Sequence, residues 1–251
     1  MINKSATLVI GYIIVACLLD FCYGNNEDSE IVLVHALLRH GERTPSRFYP
    51  NDPHQNNTFY PIGLGGLTNK GKLMMFRLGE TLRSMYNSFL GDTYTDDKVY
   101  VRSRYRRRTT ISALLTLAGM WPPNEKQRWH STLNWLPIAV ESKTKEQEDL
   151  LNPICHTLRE ESCSLYKNST VYETYIQPYK EEFAYLKKYT GSQVNDFRDI
   201  AKLYFTLKTE EDNGLKLPEW TNAIYPEPLQ KLAALQYGYR NLLQTHQVTN
   251  S

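Results

Sequence analysis

The segment Arg39-His40-Gly41-Glu42-Arg43-Thr44-Pro45 sets one imidazole between two guanidinium groups. Guanidinium groups stay charged at any physiological pH and match phosphate oxygens two at a time. An imidazole nitrogen can attack phosphorus and carry a phosphoryl group as a covalent intermediate. Val101-Arg102-Ser103 brings a further guanidinium. Three arginines around one histidine suit the charge that spreads over a transferring phosphoryl group. An isolated Arg-His-Gly is equally the composition of a solvated surface turn, so the flanking elements have to decide. Glu42 reads either as a turn residue facing solvent or as a proton donor. Gly63, Gly65 and Gly66 neither follow a clear strand nor fit GxGxxG, and no CxxC or HxxxH spacing suggests a metal.

The elements around this segment predict where it sits. Ile31–Leu38 (IVLVHALL) is a nearly continuous apolar, β-branched run, the pattern of a parallel strand buried on both faces. His35 within it then reads as a core residue, whereas His54, His130 and His156 lie in polar, exposed surroundings. Residues 39–53 turn to Gly and Pro. Thr68 can cap a helix with a stripe at Leu78, Leu82, Met85 and Phe89, ended by Gly91. Lys98–Ser103 reads as a second strand, and Arg106–Ala118 as a helix with Ile111, Leu114, Leu115 and Ala118 on one face. Strand, helix, strand, helix predicts an α/β sheet. In such sheets ligands bind outside the carboxyl ends of the strands, where His40 and Arg102 fall. From Glu141 to Asn213 the segments 144–151, 178–189 and 193–207 read as a helical insertion over one end of the sheet. Leu217–Gln244 returns with a helix striped by Leu229, Leu232, Leu235, Tyr239 and Leu242.

Composition bounds the function classes. The chain has 251 residues, 41% hydrophobic and 22% charged, with a net charge of +2. That excludes disordered, collagen-like and coiled-coil chains and gives no global drive toward nucleic acid. Lys4, the apolar run Thr7–Leu19, and the small residues Cys22 and Gly24 predict a secretory signal cut after Gly24. The run is short for a membrane span, which needs about 20 residues, and no later run replaces it. Cys17 and Cys22 leave with the signal. Cys155 and Cys163 remain, able to pair with each other or with partners outside the chain. Asn56 and Asn168 begin N-glycosylation sequons.

Arg39–Pro45 reproduces the RHGxRxP signature of the histidine acid phosphatases and so resembles the branch with prostatic, lysosomal and insect venom acid phosphatases and phytases. Leu67-Thr68-Asn69-Lys70-Gly71 looks like the LTxxG helix start of that family. Val101-Arg102-Ser103, Arg108-Thr109, Ser112-Ala113, Trp121-Pro122-Pro123 and Leu217-Pro218-Glu219-Trp220 are similar to family segments as well. The resemblance runs from about Ile31 to about His246. It implies hydrolysis of phosphomonoesters at acid pH, with His40 as nucleophile and Arg39, Arg43 and Arg102 as the phosphate clamp. It implies no metal or organic cofactor. The implied fold is α/β, a three-layer sheet domain with helices on both faces and an inserted all-helical cap. The domains expected are a signal (1–24), the first part of the core (25–140), the cap (141–213) and the return to the core (214–251).

Two departures from the family pattern shape the expectation. Family members carry a His-Asp pair whose acid protonates the leaving alcohol, and this chain has no His-Asp dipeptide. His246 precedes Gln247, where the family's last helix gives way to a Gly-Gly connector, so the chain reads as truncated before the acid and the last part of the sheet. Cys155 resembles a family cysteine whose partner lies in that C-terminal part. Between Arg102 and Arg108-Thr109 the family usually has acids, whereas Arg104-Tyr105-Arg106-Arg107 is basic. The readings carried forward are a secreted or lysosomal acid phosphatase, an impaired phosphatase-like binding protein, or a shortened isoform. Expected partners are a phosphomonoester and, as an option, a second copy in a homodimer, with no nucleic acid and no membrane span.

Overall fold

The computed structural model describes residues 30–151 and 174–248. The expected signal, Cys155, Cys163, His156 and Asn168 lie outside the described residues. The chain divides into two units, Met1–Leu38 and Arg39–Ser251.

In the first unit, residues 30–38 form no strand. Val32 is 85% and Leu37 88% exposed, and His35 is exposed with them. This corrects the reading of Ile31–Leu38 as a strand buried on both faces and of His35 as a core residue. A central strand needs hydrogen-bonded neighbours along its edges. Among the described residues the backbone of this run has none.

The second unit begins with two helices in close contact. Thr68 is extended, and its hydroxyl accepts the Gly71 N–H at 3.0 Å, capping helix α1 (Asn69–Met85) as expected. A short helix α2 (Asn87–Leu90) follows and ends at Gly91. Helix α3 (Arg107–Met120) packs along α1. The buried faces differ from the expected stripes. On α1 they are Gly71, Met75 and Gly79, while Met85 and Phe89 are exposed; on α3 they include Ser112, Thr116 and Gly119, while Ile111 is exposed. The cause is close backbone approach. A Cβ on Gly79 would lie 2.0 Å from the Thr116 carbonyl oxygen, and one on Gly119 2.1 Å from that of Phe76. The seam is therefore lined by small residues rather than leucines, and the Thr116 hydroxyl donates across it to the Met75 carbonyl at 3.3 Å.

A two-residue strand β1 (Arg102–Ser103) pairs in parallel with β2 (Glu141–Ser142), Arg102 opposite Glu141. The expected strand Lys98–Ser103 is thus shorter, and a strand opens the segment that read as wholly helical. Parallel neighbours require a crossover connection, and α3 lies within it.

Residues 144–151 form turns rather than a helix. Helix α4 (Lys180–Thr190) ends at Gly191, which takes the left-handed conformation. Helix α5 (Phe197–Asp212) is capped by the Asp196 carboxylate, which accepts the Asp199 N–H at 2.9 Å. Helix α6 spans Glu227–Val248. Leu186, Phe197, Ile200, Leu207 and Leu229 form the main apolar core, and Tyr49 packs into it. Leu90, Leu117, Trp121 and Ile138 form a second core. No described helix is long and apolar enough to cross a membrane.

Candidate active site

The loop that carries His40 is fixed through its backbone. Residues 42–44 run antiparallel to residues 66–68, with Arg43 opposite Leu67. Thr44 N–H donates to Gly66 O at 3.0 Å, and Thr68 N–H to Glu42 O at 3.1 Å. Gly41 lies flat on the first turn of α1. A Cβ there would meet Gly71 O at 2.3 Å, and a Cβ on Gly71 would meet Glu42 O at 2.0 Å. Gly41 N–H donates to the Ser112 hydroxyl of α3 at 3.2 Å. Asn213, just past α5, donates its side-chain amide to Arg43 O at 3.1 Å. The buried Thr44 hydroxyl donates to Gly63 O at 2.7 Å. Three helices thus hold one turn of chain.

His40 Nδ1 lies 2.8 Å from Gly41 O. A carbonyl oxygen only accepts, so Nδ1 carries the proton and the Nε2 lone pair is free. Burial holds the imidazole below its ordinary pKa, the Gly41 hydrogen bond opposes this, and the charges of Arg108, Arg39 and Arg43 add to the lowering. The surroundings therefore favour the neutral imidazole. The Arg43 guanidinium is pulled down to about 10 by burial and then by Arg108 and Arg39, so it remains a cation at neutral and acid pH. Arg108 is lowered by burial and by the charges of Arg106, Arg104 and Arg39. The Arg39 guanidinium sits 5.5 Å from the centre of the Phe205 ring on α5. Among the described residues none of these three arginines pairs with a carboxylate. Like charges packed together without a carboxylate partner among the described residues favour an anion beside them.

The structure brings Arg39, His40 and Arg43 together but leaves Arg102 out of the group. Arg102 Nη2 donates to Glu148 Oε1 at 2.9 Å and to the Asp149 carboxylate. Successive strand residues face opposite ways, and Ser103 takes the buried side, its hydroxyl 2.9 Å from that of Thr110. The third guanidinium acting on His40 is that of Arg108, which the sequence reading had not placed in the clamp. Its signal was available: Arg108 stands four residues before Ser112, on the helix face that bonds the His40 loop. Glu42 is no free proton donor. Its carboxylate accepts from the Thr68 hydroxyl at 3.1 Å and pairs with Lys70 at 2.5 Å, tying the loop to α1. Asn56 is exposed on a turn. His54 Nε2 lies 2.9 Å from Lys216 O, and His130 is exposed. The described residues hold no acidic or thiol-imidazole cluster fit for a metal.

A family model described as histidine phosphatase superfamily (branch 2) matches residues 30–248. The chain belongs to this superfamily. This histidine phosphatase is 36% identical over 208 residues to venom acid phosphatase Acph-1 of Apis mellifera, covering 79% of this chain and 52% of that protein. It is 34% identical over 217 residues to human lysosomal acid phosphatase, covering 85% and 50%. It is 30% identical over 238 residues to bovine prostatic acid phosphatase, covering 94% and 61%. The chain thus spans about half the length of the curated relatives it matches first. Among solved structures, the phytase from Citrobacter braakii superposes with a TM-score of 0.51 at 19% identity, over 80% of this chain and 58% of that one. That likeness is one of fold, an α/β histidine phosphatase fold with helices and a small sheet.

Proposed function

We propose that this histidine phosphatase hydrolyses phosphomonoesters at acid pH through a phosphohistidine on His40. The observation that carries the reading is the imidazole whose Nδ1 bonds Gly41 O and leaves Nε2 free, set among three guanidinium groups that have no carboxylate partner among the described residues. Arg39, Arg43 and Arg108 hold the non-bridging oxygens. Nε2 attacks phosphorus, the bond to the ester oxygen breaks, and the alkoxide takes a proton from solvent water. Water then attacks phosphorus, returns the electron pair to Nε2 and releases inorganic phosphate. Among the described residues no acidic group bears on His40, and the reading expects aryl esters, with their better leaving group, to react faster than alkyl esters. Arg102, bound by Glu148 and Asp149, anchors residues 144–151 instead of binding phosphate. The reading places the helices of 141–213, which follow β2, as a cap on a sheet domain of 25–140 and 214–251. It also places the protein in the secretory or lysosomal lumen, with glycans on Asn56 and Asn168.

The test uses inorganic phosphate as ligand. Each charge-assisted hydrogen bond contributes about 1.5–3 kcal/mol, so phosphate raises the Tm of the wild type and does so far less in Arg43→Ala or Arg108→Ala. Arg102→Ala keeps the shift. His40→Ala abolishes phosphate release and a base-stable, acid-labile phosphoenzyme. Equal stabilisation of wild type and Arg108→Ala, or turnover in His40→Ala, would overturn the reading.

A further inference from the structure

The basic run that follows β1 does more than supply Arg108. Arg104, Arg106 and Arg107 pair with no carboxylate among the described residues. Arg104 and Arg106 flank the Tyr105 ring, their guanidinium carbons 5.3 and 5.2 Å from its centre. Both bear electrostatically on Arg108, which bears in turn on His40. The cationic strip is therefore continuous with the reacting centre. Beside it opens a concavity of about 510 Å³, bounded by Tyr105, Arg107, Thr110, Ile111, Ser142, Lys143 and Thr144. It offers two cations and the Ser142 hydroxyl, while the Thr110 hydroxyl lies 2.9 Å from that of Ser103 and the Thr144 hydroxyl donates to Gln147 Oε1 at 3.4 Å. One acid reaches it: Asp149 pairs with Lys143 at 2.8 Å while also holding Arg102. Arg107 has no such partner.

We propose that this concavity is a second anion subsite, and that the preferred phosphomonoesters carry a further anionic group, phosphate or carboxylate, on the leaving alcohol. The proposal rests on the reading of His40 and its arginines as the phosphoryl site. Arg107 and Arg108 are successive residues of α3, so their side chains leave the helix about 100° apart. One faces the concavity and the other faces His40. With arginine-length arms, the two anions of one ligand are held on the order of 10 Å apart. A hexose bearing groups at both ends spans that distance, whereas pyrophosphate does not. The Ser142 hydroxyl, at the rim of the same concavity, donates to an anionic oxygen.

Initial rates are compared on glucose 6-phosphate, 6-phosphogluconate and glucose 1,6-bisphosphate, which carry at the far end a neutral hydroxyl, a carboxylate or a second phosphate. The expected kcat/KM is about tenfold or more higher for an ester with the second anion. A gain for the bisphosphate alone narrows the subsite to phosphate; a gain for both shows it takes either anion. In the double variant Arg107→Gln, Lys143→Gln the ratio to glucose 6-phosphate falls toward one. Equal kcat/KM for all three esters, or a ratio untouched by the double variant, overturns the proposal. If no ester releases phosphate, the His40 reading fails separately, and calorimetry with hexylphosphonate and hexane-1,6-bisphosphonate decides the subsite. Tighter bisphosphonate binding that needs Arg107 and Lys143 upholds it, and equal affinities overturn it.

Discussion

Gly71→Ala tests the idea that main-chain contact sets the position of His40. The added Cβ would lie 2.0 Å from Glu42 O, 2.6 Å from Glu42 N and 2.8 Å from Glu42 C. All three are backbone atoms, so no rotamer change relieves the clash. The gap has to open from 2.0 Å to the 3.4 Å at which ordinary contact begins, a displacement of about 1.4 Å between α1 and the His40 loop. Overpacking of this kind costs about 1–3 kcal/mol, against at most about 1 kcal/mol gained from replacing Gly by Ala in a helix. The net loss of up to about 2 kcal/mol lowers Tm by a few degrees, at about 2–4 °C per kcal/mol for a chain of this size. Function suffers more than stability. A misplacement of about 1 Å at a reacting group can cost about 10²-fold in rate, and Arg43 moves with His40. The matched control is Gly238→Ala, an exposed α6 glycine whose Cβ would meet nothing within 4 Å; it should gain stability. Scanning calorimetry and phosphate titration read both variants. A Gly71→Ala protein with wild-type Tm and phosphate affinity would refute the argument.

Two further outcomes follow from buried charge. The Glu210 carboxyl is 0% exposed on α5, and it is raised above the ordinary carboxylate range by burial first and by neighbouring Asp52 second. A raised folded value means that its contribution is intact below the unfolded pKa of about 4.5 and is lost as pH rises toward the folded value. Glu210→Gln should therefore shift the urea midpoint little near pH 4 and increasingly upward through neutrality; a pH-independent difference contradicts this. At the site, Arg108→Gln removes a cation that lowers the His40 pKa, so NMR titration of the imidazole should show that pKa rising; no change, or a fall, would remove Arg108 from the site.

Legibility in the sequence followed the range of the interaction. The His40 loop was readable because its chemistry is contiguous, from Arg39 to Arg43. The Thr68 cap and the Gly91 stop were readable because each depends on a few neighbouring residues. The buried faces of α1 and α3 were not, because apolar spacing points to leucines whereas Gly71, Gly79 and Gly119 set the approach. Ile31–Leu38 reads as a buried strand in any context, since composition does not record whether edge partners are present. Arg102 and Arg108 lie in one basic run. Only strand alternation at Ser103 and helix phase at Ser112 separate the arginine held by acids from the one beside His40.

The contact between Gly41 and Gly71 separates where the loop sits from what the loop does. Its location is written in main-chain atoms: the carbonyls of Glu42 and Gly71, the Gly41 amide on Ser112, and the Arg43 carbonyl on Asn213. None of these involves the side chains of Arg39, His40 or Arg43. The side chain at position 40 is thus interchangeable in principle, like a tool in a fixed holder. Replacing His40 by cysteine or aspartate would present a different nucleophile to the same three cations at the same place, which makes this turn a ready mount for redesigned anion chemistry.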